Sequence, residues 1–136
     1  MSGEMIELIP DSGVALLHAW GLPEWPREAV AKYFLWDRCC VFAIMANDEG
    51  GIDGHMAMTP PSRRRSREAC MAFLEHWGEH QIRVPVLASH RHARNVVKKV
   101  GFVEYPPEQV ELVGGEMAEI IFLRRGPNGR SYQWDR

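Results

Sequence analysis

A chain of 136 residues, 46% hydrophobic and 25% charged with a net charge of −2, suits one globular domain and buries roughly two thirds of its unfolded surface on folding. That balance excludes collagen-like and wholly disordered chains, and no stretch approaches the ~18 uninterrupted apolar residues of a membrane span. The N-terminus also lacks the basic start and apolar run of a secretion signal, so the expectation is a cytoplasmic protein with no membrane partner. A single domain is expected over residues 1–136, with an ordered core at about 5–124 and a Gly/Pro/Asn-rich tail at 126–136. Cys39, Cys40 and Cys70, an odd set with two adjacent members, fit reduced thiols better than a disulfide framework.

In chain order, MIELI (5–9) reads as a strand and Val14–Trp20 as a short helix closed by Gly21. Residues 26–36 read as a second helix, with Pro26 in its first turn and Val30, Tyr33 and Phe34 on one face. CCVFAIMA (39–46) is a buried strand; NDEGG (47–51) turns the chain, and 52–59 returns as the other arm of a hairpin. After Pro60-Pro61 the period changes. Cys70, Phe73, Leu74 and Trp77 fall at i, i+3, i+4 and i+7, one apolar helix stripe that Gly78 ends. A strand over Val84–Ser89, a helix over His92–Val100 stopped by Gly101, and a hairpin of Val103–Val113 with Met117–Arg124 complete the order β, α, α, β, β, α, β, α, β, β.

Charge is unevenly spread. Between Thr59 and Phe102 there are nine Lys or Arg against three acids, and Arg63, Arg64, Arg65 and Arg67 occupy four of five successive positions. That density points to an anion site. A nucleic-acid surface would make the whole domain basic, whereas the sequence pI is about 6.3. His76-Trp77-Gly78-Glu79-His80 matches the H-x-x-E-H pattern of some zinc proteases, but Gly78 weakens the helix which that geometry needs and no third ligand is evident, so no metal is expected.

TPPSRRRSREACMAFLEHW (59–77) and HARNVVKKVGF (92–102), set in this order of elements, resemble the GNAT acetyltransferase superfamily over about Met5–Arg124. The resemblance implies an α/β fold with a mixed, mostly antiparallel central sheet and helices on both faces. It also implies N-acyl transfer from acetyl-CoA to an amine, and the cofactor's pyrophosphate at the start of the 66–77 helix, where free N–H groups and the helix dipole favour anions. Cofactor-binding residues would then be Arg63, Arg64, Arg65, Ser66, Arg67, His90 and Arg94, and catalytic candidates His55 and His90. Two departures stand out. The family's glycine-rich loop is here Arg63–Ala69 without glycine, and Val97 occupies the position, four before Gly101, where many members carry a tyrosine that protonates the leaving thiolate. The alternative reading is a catalytically inactive GNAT-fold binding or structural protein of the compact kind found in bacteriophages and virions, and a homodimer through the last hairpin is a further expectation.

Overall fold

The structure is a computed structural model and describes residues 3–112 and 114–132. Its elements are β1 (Met5–Leu8), α1 (Pro10–Trp20), β2 (Lys32–Trp36), β3 (Cys40–Ala46), β4 (Ile52–Met58), a 3-10 turn (Pro60–Arg65), α2 (Ser66–Trp77), β5 (Ile82–Leu87), α3 (Arg91–Lys99), β6 (Val103–Glu104), β7 (Glu108–Glu111), β8 (Met117–Arg125) and a final 3-10 turn (Pro127–Gly129). The eight strands form one sheet in the order β1-β2-β3-β4-β5-β8-β6, with β7 also on β8. Every pairing is antiparallel except β4 with β5. This is the mixed, mostly antiparallel α/β sheet with helices on both faces that the resemblance implied.

Strand alternation sorts the core into two layers. Trp36, Phe42, Met58, Ile82 and Leu123 face α2 and its Phe73, with α3 behind Val97 and Val100. Tyr33, Val41, Ala43 and Ala57 face Val14 and Leu17 of α1. Among the described residues no helix is long and apolar enough to cross a membrane.

One expected helix is absent. Residues 26–31 are irregular, and Lys32–Trp36 is a strand between β1 and β3. Val30, Tyr33 and Phe34 do fall at helical spacing, but KYFLW is also a run of strong strand formers, and as a strand it buries Tyr33 on one face and Trp36 on the other. Cross-strand packing outweighed the local period. The expected 103–113 strand is two pieces, β6 and β7, because Pro106 and Pro107 supply no ladder N–H; Val113 lies outside the described residues. In the 126–136 segment, Asn128 donates its N–H to the Gly78 carbonyl and Tyr132 its hydroxyl to Glu49; residues 133–136 lie outside the described residues.

The start of β4 is locked to its neighbours by charge. Arg83 on β5 grips Asp53 in bidentate fashion (2.7 and 2.8 Å), and also reaches Asp48 and Glu49 of the β3–β4 turn. Glu49, nearly buried, takes two bonds from Arg124 on β8 at 2.9 and 2.6 Å. Arg124, 2% exposed, lies over the rings of Tyr105 and Phe122.

Candidate active site

From that locked end β4 and β5 run side by side for two residues only, Ile52 opposite Ile82 and Asp53 opposite Arg83. Ile52 donates to the Gln81 carbonyl, so the next unmade rung of this parallel ladder would run from the N–H of residue 85 to the Gly54 carbonyl. Residue 85 is proline and has no N–H. The ladder stops there, and the strands part. Alternation then leaves the Gly54 carbonyl and the Met56 N–H on the β5 side of β4 with no β5 partner. The sequence signal for the opening was thus a mid-strand proline, which the reading of residues 84–89 as a plain strand overlooked.

A half-open apolar cavity of about 60 Å³ lies where the strands part. Gly54, His55 and Met56 of β4 and Val84 of β5 form its sheet side. Cys70, Phe73 and Leu74 come from α2, and Val97, Val100 and Phe102 from α3 and its end. The 70/73/74 stripe was legible as a helix face; that it lines a cavity was not. Gly101, at φ 101°, ends α3 in a conformation that side-chain-bearing residues rarely adopt and turns Phe102 back into the wall. Val97, one turn earlier, lines the cavity and offers no proton.

His55 lies on β4 between Gly54 and Met56, which face α2, so its side chain points to the opposite, α1 side of the sheet at the point where the strands part. Its ring packs edge-on against Trp25, centroids 4.8 Å apart. Trp25 is held in turn: its indole N–H donates to the Tyr33 hydroxyl at 2.9 Å, and His18 Nε2 donates to its carbonyl at 2.8 Å. Burial lowers the His55 pKa below the usual imidazole value; Asp53 opposes this and Arg83 adds to it. The imidazole is therefore held neutral, with a lone pair to accept a proton at neutral pH. Trp20 ends α1 and Trp36 lies in the α2-side core, whereas Trp25 packs on the His55 ring.

The arginine block behaves less simply than its charge suggests. The chain after β4 winds as a 3-10 turn that continues into α2: the Ser62 N–H goes to Thr59 and the Ser66 N–H to Arg63, while Pro60 and Pro61 have none. The Ser62 and Ser66 N–H groups are thus taken up within the turn and cannot meet an anion. Arg65 pairs with Asp37 at 2.7 Å and Glu68 at 3.0 Å, stacks over Trp36, and clamps the β2–β3 turn, where Asp37 and Arg38 both have positive φ. Arg63 donates to the Trp20 carbonyl at the end of α1. Arg64 and Arg67 are exposed with no ion pair among the described residues, and half-buried Ser66 opens α2. Arg94 ties α3 to β6 through two bonds to Glu104 and one to the Ala88 carbonyl. His90 is exposed at the N-cap of α3, its N–H donated to the Leu87 carbonyl.

His76 and His80 do not share a helical turn, because α2 ends at Trp77 with Gly78 as cap; His76 Nδ1 bonds the Ala72 carbonyl instead. Among the described residues no three His, Cys, Asp or Glu side chains cluster to hold a metal ion.

Neither a protein-family model nor a curated protein matches the chain. Solved structures do, at low identity. A Salmonella typhimurium protein with acetyl-CoA as its cofactor superposes with a TM-score of 0.64 at 9% identity, covering 99% of both chains. A Vibrio cholerae spermidine N-acetyltransferase chimera gives 0.70 at 11% identity over 91% of this chain and 95% of its own. An IAA acetyltransferase from Bacillus cereus gives 0.65 at 11% identity over 89% and 97%. The fold of this chain is that of the GNAT acetyltransferases.

Proposed function

We propose that this chain is an N-acyltransferase that moves the acyl group of a coenzyme A thioester, acetyl-CoA in the simplest case, to an amine. The observation that carries the reading is the parting of β4 and β5 over an apolar cavity, with unpaired backbone groups along one wall and a neutral imidazole beside it. The opening fits the narrow pantetheine arm, and the Met56 N–H faces the place where a thioester oxygen would gain negative charge. The amine nitrogen bonds to the thioester carbon, His55 takes the amine proton, and the carbon–sulfur bond then breaks to release the coenzyme as thiolate. With Val97 in the wall, water protonates that thiolate, whose thiol pKa is about 8.5. Arg64 and Arg67, which have no ion pair among the described residues, meet the coenzyme's phosphates with guanidinium forks.

The second reading is a GNAT fold kept for binding or structure, in a phage particle or elsewhere. What favours it is the 3-10 turn that takes up the Ser62 and Ser66 N–H groups, and the engagement of Arg65 and Arg94 in internal ion pairs.

A coenzyme A titration followed by thermal shift separates the two. Coenzyme A at a hundred times its dissociation constant should stabilise the fold by about 2.7 kcal/mol. Replacing Arg64 and Arg67 with Glu should abolish the shift and leave the ligand-free Tm unchanged, because neither has an ion-pair partner among the described residues. No shift in the parent at millimolar coenzyme A establishes the second reading.

Val97→Tyr tests the missing acid. Where thiolate departure limits the rate, a phenol on this wall raises turnover about a hundredfold, while filling part of the cavity costs about 1–3 kcal/mol of stability. Turnover measured on a panel of amines beside Tm reads both effects; a folded variant with no gain shows that departure is not limiting.

A further inference from the structure

Strands β2, β3 and β4 set Tyr33, Ala43 and His55 in one cross-strand row on the α1 side of the sheet, with Tyr33 opposite Ala43 and Ala43 opposite His55. Neighbouring strands lie about 4.8 Å apart, so the tyrosine and the histidine stand roughly 10 Å from each other with only the Ala43 methyl between them. Trp25 covers that gap. Its ring meets His55 at a centroid distance of 4.8 Å and Tyr33 at 6.4 Å, edge-on to both.

Trp25 belongs to no helix or strand; it lies between Pro23 and Pro26 in the irregular stretch that links α1 to β2. Two side chains from outside that stretch hold it. The Tyr33 hydroxyl accepts its indole N–H at 2.9 Å, and His18 Nε2 on α1 donates to its carbonyl at 2.8 Å. Both anchors are set in the core on this side of the sheet. Tyr33 is 1% exposed beneath α1, where a Cβ on Gly13 would overlap its ring, and His18 follows the fully buried Leu17. An imidazole carries its Nε2 proton both in the neutral tautomer that bonds a carbonyl and in the charged form, so the His18 tie holds on either side of its own ionisation.

We propose that His18 is a positioning residue which, together with Tyr33, seats Trp25 on His55 and so fixes the ring of the base where the strands part. This rests on the acyltransferase reading and assigns its base a support. The charged groups that act on His55 are Asp53 on its own strand and Arg83 on β5; β3 presents Ala43 to it, β2 presents Tyr33, and α1 presents His18 behind Trp25. Substitutions at His18 or Tyr33 leave Asp53 and Arg83 in place, so a change in the titration of His55 then reports its cover. Loss of one neutral hydrogen bond lowers the population of the seated indole about fivefold relative to the unseated one.

NMR titration of the His55 ring in the ligand-free chain, beside the pH profile of kcat/KM for transfer from acetyl-CoA to a panel of primary amines, tests this. His18→Phe, and independently Tyr33→Phe, should raise the His55 midpoint toward 6.5 and carry the acid limb of kcat/KM upward with it. His18→Gln, whose amide can still donate to the carbonyl, should return both to the parent values. If one variant fails to fold, the other reads the same seat from the opposite side of Trp25. An unchanged His55 midpoint in a folded His18→Phe or Tyr33→Phe chain overturns the proposal and leaves the acyltransferase reading standing. A midpoint that moves while the acid limb stays in place overturns it as well, because His55 is then not the group whose ionisation limits transfer. A parent chain that transfers no acyl group and binds no coenzyme A overturns the acyltransferase reading, and this role for His18 with it.

Discussion

His55→Gln should lower acyl transfer by about a hundredfold to ten-thousandfold while leaving the protein folded and coenzyme A bound. Glutamine keeps the polar end and much of the volume but cannot take a proton. In the parent the base must be neutral, and burial of the imidazole against Trp25 favours that form, with Arg83 reinforcing it and Asp53 opposing. The parent's kcat/KM should therefore hold steady below pH 6.5 and decline only as pH falls through the lowered pKa. The sign for stability is the same. Below pH 6.5 the unfolded chain binds a proton at His55 that the folded chain resists, so His55 removes stability as pH falls from 6.5 toward its folded value. Trp25→Ala uncovers the ring and should move the acid limb of kcat/KM upward toward pH 6.5, an effect that a purely structural tryptophan would not produce. A His55→Gln enzyme within threefold of the parent, with an unchanged pH profile, would remove His55 from the mechanism.

How far the sequence could be read depended on how local each signal was. The α2 stripe, the Gly101 stop and the β3–β4 hairpin are set by neighbours within a turn or two, and they came through. KYFLW was ambiguous because four successive apolar residues fit a helix segment or a strand buried on both faces, and only pairing with β1 and β3 settles it. The arginines illustrate a different limit. Their number suggested an anion site, but charge along a sequence does not reveal which guanidinium a carboxylate on another element has already engaged. Asp37, 28 positions away from Arg65 and held in a positive-φ turn, does so. Pro85 was visible and undervalued: its meaning depends on which strand lies alongside, and that is a property of the register. The cavity was hidden for the same reason, since its walls come from five stretches that adjoin only in the fold.

Glu49→Gln should cost about 3–5 kcal/mol, out of a total that for a domain of this size is typically about 5–15 kcal/mol. The carboxylate is nearly buried and accepts from three groups brought together from far along the chain: Arg83 at 3.0 Å, Arg124 at 2.9 and 2.6 Å, and the Tyr132 hydroxyl. Glutamine preserves the shape but removes the negative charge, leaving the Arg124 guanidinium at 2% exposure beside a neutral amide that can also present N–H to it. Tyr132→Phe, by contrast, removes one neutral donor and should cost about 1 kcal/mol. The same carboxylate sets an acid limit. Hydrogen bonds from Arg124 first, then Tyr132 and the charges of Arg124 and Arg83, hold its pKa down to about 2 against an ordinary 4.5. Its contribution is thus present above pH 4.5 and lost as pH falls from 4.5 toward 2. Urea unfolding of parent and variants at pH 7 and at pH 3 reads both effects: the gap between parent and Glu49→Gln should be widest at pH 7 and shrink at pH 3. Equal stabilities at pH 7 would mean that the cluster contributes nothing net. Because this cluster joins the β3–β4 turn to β5 and β8 at the point from which β4 and β5 diverge, its loss should also weaken coenzyme A binding, although none of its members lines the cavity.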